Sequence, residues 1–411
     1  MQVTAEIRSL FRSLRHRNFR LFFIGQLVSL VGTWMQNAAQ AWLVLELTHS
    51  PFKLGVVTAL QFLPMLFLAF FTGPFIDYFP KRKIIIAAQV VLMVQAFALA
   101  ALVWTGAVEY WHVLVLATVL GVANTIDMPA RQSFLIELVG RDDLMNAIGL
   151  NSAIFNAARA LGPAVAGLLI AALGTTVCFF VNGLSFLAVL ASLFALRMTE
   201  PVRRGPPSYR ILEDAGEALR AVRETPVVQA TILLVAVVSI FGANFNVLVP
   251  VFAKDELMQD AAGFGFLMSS FGIGALIGAV SLTIMSKLGP KPALLLGSGL
   301  ALSLFLVVLG FQRMYGFSAL LLALCGWCIV SFYGTANTTV QLNTPDRLRG
   351  RVMSIYTMAF AGLSPIGSVF AGTVAHWLRA SLTFAVGGLI CGIVFLAVIA
   401  KGKKGTVRSK V

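Results

Sequence analysis

The apolar residues of this chain come in a dozen long stretches, each sufficient to cross a lipid bilayer as a helix. A hydrocarbon core about 30 Å thick needs around 20 helical residues. Spans are predicted at 18–47, 52–76, 83–105, 112–137, 146–172, 175–197, 227–253, 263–286, 292–312, 316–341, 352–376 and 381–400. Soluble helices alternate apolar and polar faces, whereas these runs are apolar nearly all round. The chain is only 12% charged, against roughly a quarter for a soluble domain, so too little polar surface exists to face water on every side. The pattern specifies an all-α integral membrane protein of twelve transmembrane helices.

The net charge of +14 raises the question of nucleic acid, and its distribution answers it. About 25 of the 31 basic residues fall on one side of the predicted spans. Lys53, Lys254, Arg313 and Arg379 fall on the other. That asymmetry is the positive-inside rule. It predicts both termini in the cytoplasm, a lipid bilayer as partner and no nucleic acid. The first apolar run follows a basic segment but lacks a small-x-small cleavage site, so it is expected to remain as the first span. Cys178, Cys325, Cys328 and Cys391 lie in apolar runs. Cys325 and Cys328 have a metal-like spacing with no second pair or nearby histidine, and read as packing residues. No metal or cofactor is expected. The absence of a G-x-x-x-x-G-K-[ST] loop argues against ATP-driven pumping, and no catalytic cluster can be assembled.

One longer connection divides the chain. The domains are a cytoplasmic amphipathic segment (1–17), a first six-helix bundle (18–197), a cytoplasmic central loop (198–226), a second six-helix bundle (227–400) and a basic cytoplasmic tail (401–411). In the first segment Ile7, Leu10, Phe11 and Leu14 oppose Arg8, Arg12 and Arg15. In the central loop Ile211, Ala215, Leu219 and Val222 form an apolar stripe, with Glu213, Glu217, Arg220 and Arg223 outward. Both fit helices lying on an anionic leaflet, and the second fits a solvated tether equally. The halves echo each other at an offset of about 205 residues, as transporter repeats do. Asp142-Asp143-Leu144 precedes span five where Asp346-Arg347-Leu348 precedes span eleven, and Gly162-Pro163 is answered by Pro365-Ile366-Gly367.

Three motifs carry a family resemblance. Gly73-Pro-Phe-Ile-Asp77-Tyr-Phe-Pro-Lys81-Arg82-Lys83, between spans two and three, resembles the G-x-x-x-D-(R/K)-x-G-(R/K)-(R/K) signature of the major facilitator superfamily. Tyr78 and Pro80 depart from it, which puts the usual charge relay in doubt and leaves Asp77 as a gate latch. Gly149, Ala158, Gly162-Pro163, Ala166 and Gly167 on span five resemble the superfamily's antiporter motif, with alanine replacing glycine twice; ordinary small-residue packing explains the stripe as well. Asn124-Thr-Ile-Asp127-Met-Pro-Ala-Arg131 and Leu348-Arg-Gly-Arg351 resemble the branch that holds the enterobactin exporter and related drug-efflux proteins. The resemblance implies two pseudo-symmetric six-helix bundles, a central cavity, proton-driven exchange, a monomer and export of bulky organic compounds across a bacterial inner membrane.

An ionisable group at membrane depth is costly unless paired or wetted, so each is a functional candidate. Asp127 and Arg131 share a face of span four, and Arg159 lies near the middle of span five. Burial disfavours an ionised carboxylate and a nearby arginine favours it. Movement of Arg131 or Arg159 would therefore load or release a proton at Asp127. A permanent ion pair bracing spans four and five is the alternative. Glu46, near the outer end of span one, is a weaker candidate. Span one also carries a polar stripe of Gln26, Ser29, Thr33, Asn37 and Gln40, with Trp34 beside it. A polar face in lipid must look toward a cavity or a partner helix. In the family fold spans one, four, seven and ten line the cavity, which adds Asn124, Ser239, Asn246, Asn337 and Gln341; Asn156 on span five and Tyr356 on span eleven extend the set. Gly73, Asp77, Lys81, Arg82 and Arg351 form the expected gating motif, and Gly149, Gly162, Pro163 and Gly167 the antiporter-motif helix. The expected activity is proton-coupled export of a small organic molecule. A lipid flippase of the same fold is the alternative, and a membrane-embedded enzyme is the different-class rival.

Overall fold

A computed structural model describes residues 11–197, 211–285 and 292–408. The side chains of 69–71, 73, 74, 77, 211–215, 292 and 402–408 lie outside what it describes. Among the described residues there are twelve long helices and no strand. The first six are α1 (Arg17–Thr48), α2 (Pro51–Tyr78), α3 (Lys81–Trp104), α4 (Tyr110–Val139), α5 (Leu144–Leu173) and α6 (Thr175–Ala195). The second six are α7 (Pro226–Glu256), α8 (Ala261–Met285), α9 (Pro292–Gly310), α10 (Tyr315–Leu342), α11 (Arg349–Trp377) and α12 (Ala380–Arg408). Eleven are long and apolar enough to cross a membrane. The remaining one, α1, is 32 residues long and turns its polar stripe inward: Gln26, Ser29, Gln36 and Gln40 are buried while Ile24, Leu27 and Val28 are exposed.

Local chemistry sets the ends. Ser50 accepts a hydrogen bond from the Lys53 backbone and Pro51 opens α2, satisfying donors that a helix start leaves free. The helices α4 and α5 stop at Gly140 and Gly174, both at positive φ, where a side chain would be strained. Predicted boundaries agree to within three residues except at the last, where α12 stays helical to Arg408 through the segment expected to be a tail.

Two amphipathic segments differ from expectation. Residues 1–10, including Ile7, Arg8 and Leu10, lie outside the described residues, and the rest of the first segment is one tight turn, Arg12–Arg15. The start of α5 holds it: the Ser13 backbone N–H donates to Asn146 Oδ1 in the first turn (2.9 Å) and Ser13 Oγ to the Asp143 backbone carbonyl just before it (3.0 Å). The central loop does contain a helix, Ile211–Glu224. However, among its described side chains Ala218 and Val222 are buried while Leu219 is 44% exposed. The face is rotated because Glu217, expected outward, is drawn onto Arg347 and Arg351 beside α11.

The two sixes repeat one packing scheme. In the first, α1 contacts α5 and α6, α2 contacts α4, and α3 contacts α4 and α6; in the second, α7 contacts α11 and α12, α8 contacts α10, and α9 contacts α10 and α12. The halves join along α2–α11 and α5–α8, pairs that exchange under the same six-helix shift. Small residues make both seams. A Cβ on Gly55 would lie 3.0 Å from Gly372 Cα, and one on Gly265 2.9 Å from Gly167 Cα, so backbones touch where side chains would hold them apart.

Candidate functional site

At mid-depth α5 brings one cation to the boundary between the halves. Arg159 lies midway along α5, held there by Gly162, where a Cβ would stand 2.9 Å from the Met35 backbone nitrogen of α1. Its guanidinium lies over Phe271 of α8 at 4.7 Å and over Trp34 of α1 at 5.4 Å, and Tyr333 of α10 is within electrostatic reach. Trp34 is itself set by an edge contact with Phe155 at 5.6 Å. Arg159 Nε is fully shielded and has no hydrogen-bond partner. Rings from both halves thus surround a charge that no described carboxylate neutralises.

The second half presents hydroxyls and rings at this depth. Ser239 and Tyr333 share a hydrogen bond (2.9 Å), Ser239 also donates to the Phe360 carbonyl (3.0 Å), and Tyr356 donates to the Tyr333 carbonyl (3.0 Å). Phe360, 41% exposed, stands edge-on to Tyr333 at 4.7 Å. One turn along α10, Gln341 donates to Asn337 (2.6 Å). Tyr333 and Phe271 are absent from the sequence-derived set. Tyr333 precedes Asn337 by one helical turn, so extending that polar stripe upstream would have found it; Phe271 carries no such signal.

Asp127 and Arg131 form an ion pair inside the first half. Asp127 is wholly buried and accepts from Gln89 of α3 (3.1 Å), while Arg131 donates to Gln26 of α1. Gln26 therefore faces this network rather than Arg159. Thr33 donates to the Ser29 carbonyl (2.9 Å), Asn37 accepts from Gln61 of α2 (3.3 Å), and Asn156 donates to the Ser152 carbonyl of its own helix (2.9 Å). Gln40 is buried, Asn124 partly buried and Asn246 exposed. Glu46 is exposed at the end of α1 and accepts from Trp42 Nε1 (2.7 Å).

Ion pairs gather at the end where the chain enters α1, here the near end. Lys81 donates to Glu137 (2.6 Å) and Arg82 to the Phe194 carbonyl closing α6 (3.4 Å), a favourable place for a cation. Arg351 pairs with Glu217. Gly73 and Asp77 fall in the last turns of α2, and their side chains lie outside the described residues. Asp143 pairs with Arg12 and His16, and these bonds, His16 first, hold its carboxyl below the usual range. Of the antiporter-motif positions, Gly162 meets α1, Gly167 meets α8, Pro163 and Ala166 are buried, and Gly149 has open space beside it. At the far end the halves are latched: Trp42 stacks on Phe264 of α8 (5.6 Å), and Lys254 of α7 lies over Trp42 and donates to the Leu45 carbonyl (3.4 Å).

Two similar six-helix halves joined along small-residue seams, with a shared polar site at mid-depth, define a multi-pass membrane transporter of the major facilitator type. The fold matches that of a bacterial homologue of the lysosomal transporter Spinster (TM-score 0.67, 14% identity, 94% of this chain and 95% of that one). It also matches the nucleoside transporter NupG (TM-score 0.73, 12% identity, 93% and 98%). The chain belongs to the transmembrane secretion effector family, which it matches over residues 8–407. It is 26% identical over 376 residues to the multidrug efflux pump Tap of Mycolicibacterium fortuitum (89% of this chain, 90% of that protein). It is 25% identical to the staphyloferrin A transporter of Staphylococcus aureus over 378 residues (90% and 92%). Against the enterobactin exporter EntS of Shigella boydii it is 25% identical over 396 residues (94% and 92%). These relatives are transporters, not enzymes.

Proposed function

We propose that this protein exports amphipathic organic compounds, drug-like or siderophore-like, across a bacterial inner membrane by alternating access, in exchange for protons. The observation that carries the reading is the seam geometry. Two helix pairs of small residues let the halves rock on one another, with Arg159 and its rings between them. The whole-length similarity to a multidrug pump and to two siderophore transporters supports organic cargo. In this reading α1 is the twelfth span, since between Leu21 and Leu45 its exposed residues, Ile24, Leu27 and Val28, are all apolar. The basic near end faces the cytoplasm by the positive-inside rule. The Trp42–Phe264 and Lys254–Leu45 latch closes the outer end, and a cargo admitted from the cytoplasm opens it. One chain supplies the complete site, so the working unit is a monomer.

Asp127 is the proton carrier in this scheme. Gln26 ties Arg131 to α1, so a shift of α1 against α4 draws the guanidinium away and leaves a buried carboxylate that takes up a proton. Everted membrane vesicles test the scheme with a panel of fluorescent drugs and an imposed pH gradient. The expected result is uptake that collapses with the gradient, and an Asp127→Asn variant that binds cargo but loses gradient-driven uptake, with Asp127→Glu retaining part of it. Full-rate, gradient-dependent uptake by Asp127→Asn contradicts the coupling role. Transport of phospholipid analogues alone favours a flippase instead.

A further inference from the structure

We infer that Arg159 is the anchor for an acidic group on the cargo, so that the compounds handled here are amphipathic organic anions: a carboxylate or similar oxyanion on a flat apolar body. The inference deepens the export reading and rests on it only for placing cargo between the halves.

The argument is a charge inventory. The chain has 17 carboxylate side chains, and among the described residues all but Asp127 lie in loops, in the tether helix or within a few residues of a membrane-helix end. Asp127 is committed to Arg131 and Gln89 inside the first half. Among the described residues, no carboxylate therefore neutralises Arg159 at its own depth. A guanidinium stays protonated where a lysine would shed its charge, so the cost of this lone cation is permanent. The rings of Trp34 and Phe271 offset part of it from their faces. They cannot accept the N–H bonds, and Nε remains without a partner. A carboxylate would take two of those bonds side by side. The neighbouring aromatic pairs, Trp34 with Phe155 in the first half and Tyr333 with Phe360 in the second, suit a flat apolar body. Because the cage draws on α1 and α5 of one half and α8 and α10 of the other, an anion seated there touches both moving bodies.

Three probes of one shape separate charge from bulk: 1-naphthoate, 1-naphthylmethanol and 1-naphthylmethylammonium, titrated into the purified full-length protein in detergent. The acid is expected to bind best. Arg159→Gln should weaken it about tenfold or more while leaving the alcohol unchanged, and Arg159→Lys should fall between. Removing an uncompensated charge should also leave the ligand-free Gln variant at least as thermally stable as wild type. The inference is overturned if the amine or alcohol binds wild type as well as the acid. It also fails if Arg159→Gln weakens all three alike, if that variant is less stable, or if the acid does not bind at millimolar concentration. Acid-selective binding without gradient-driven export would sink the export reading alone; export of cations without acid selectivity would sink only this one.

Discussion

In the first half every described membrane helix is regular α-helix, even where Pro129 and Pro163 interrupt α4 and α5. In the second half α7 carries π turns at Val238–Gly242 and Phe252–Glu256, and α11 a third at Met358–Gly362. A π turn widens the helix by one residue and weakens its hydrogen-bond ladder, and such turns collect at functional sites. Here side chains stitch the loosened backbone. Asn244 donates to the Ile240 carbonyl (2.7 Å), and Ser239 of one π turn donates to the Phe360 carbonyl of another. The polar groups differ in kind as well. The first half buries amides and an ion pair, including the chain Asn182 to Gln36 to Gln95 across α6, α1 and α3. The second buries tyrosine and serine hydroxyls. The lesson is a division of labour: a half of regular helices that buries an ion pair among amides, and a half of loosened helices that presents rings and hydroxyls to whatever lies between.

The charged frame should be the most fragile part. Asp127→Asn leaves Arg131 buried without a counter-charge and should cost about 3 kcal/mol of stability, read as a fall in melting temperature. The double variant Asp127→Asn with Arg131→Gln should recover most of it. No recovery would show that the first half does not depend on the pair. The seam comes next. A Cβ on Gly272 would approach Ala160 Cα to 2.5 Å and the Arg159 carbonyl to 2.6 Å, so Gly272→Val should cost about 1–3 kcal/mol and abolish transport. Gly149→Ala, with open space beside it, should do neither. Ser239→Ala removes the stitch between the π turns. It should cost about 1 kcal/mol and raise hydrogen exchange in α7 and α11 without touching α1 or α5. Uniform exchange across both halves would erase the distinction drawn above.

The near-end latches sharpen the comparison with inverted charge. In the first half the α4–α5 loop supplies the carboxylate, Asp143, to Arg12 and His16; in the second Arg347 of the α10–α11 connection and Arg351 of the first turn of α11 pair with Glu217. Because the Asp143 carboxyl is held below its ordinary range, its latch is present above about pH 4 and is lost as pH falls through the depressed folded value. Protection of the Arg12–Arg15 amides from hydrogen exchange, relative to a free peptide, should fall over that acid interval in wild type. Asp143→Asn should show weak protection at every pH. This is the smallest effect of the set.

Much of the architecture is written in local chemistry. Span ends follow from Ser50-Pro51, Gly140 and Gly174, and the two halves follow from one long connection. Asp127, Arg131 and Arg159 stand out because charge in an apolar run is rare. Partners are another matter. Gln26 and Thr33 lie on one stripe, yet only Gln26 reaches Arg131, because seven residues of helix set the two about 10 Å apart along the axis. The π turns leave no local mark: those at Val238–Gly242 and Met358–Gly362 meet where α7 and α11 pack on each other, and that at Phe252–Glu256 packs on α8 and α12. The tether helix shows the limit of periodicity: of the expected stripe Val222 is buried but Leu219 is exposed, with Ala218 buried in its stead, and Glu217 is held by two salt bridges.

The central claim, two bodies rocking about a site at Arg159, is tested most directly by paired spin-label distances. Labels at Met145 and Leu342 report the near end, and labels at Trp104 and Phe311 the far end; all four positions are exposed. Adding cargo under a pH gradient should shorten the near-end distance while lengthening the far-end one. Distances that stay fixed, or that change together in one direction, would contradict alternating access by this protein.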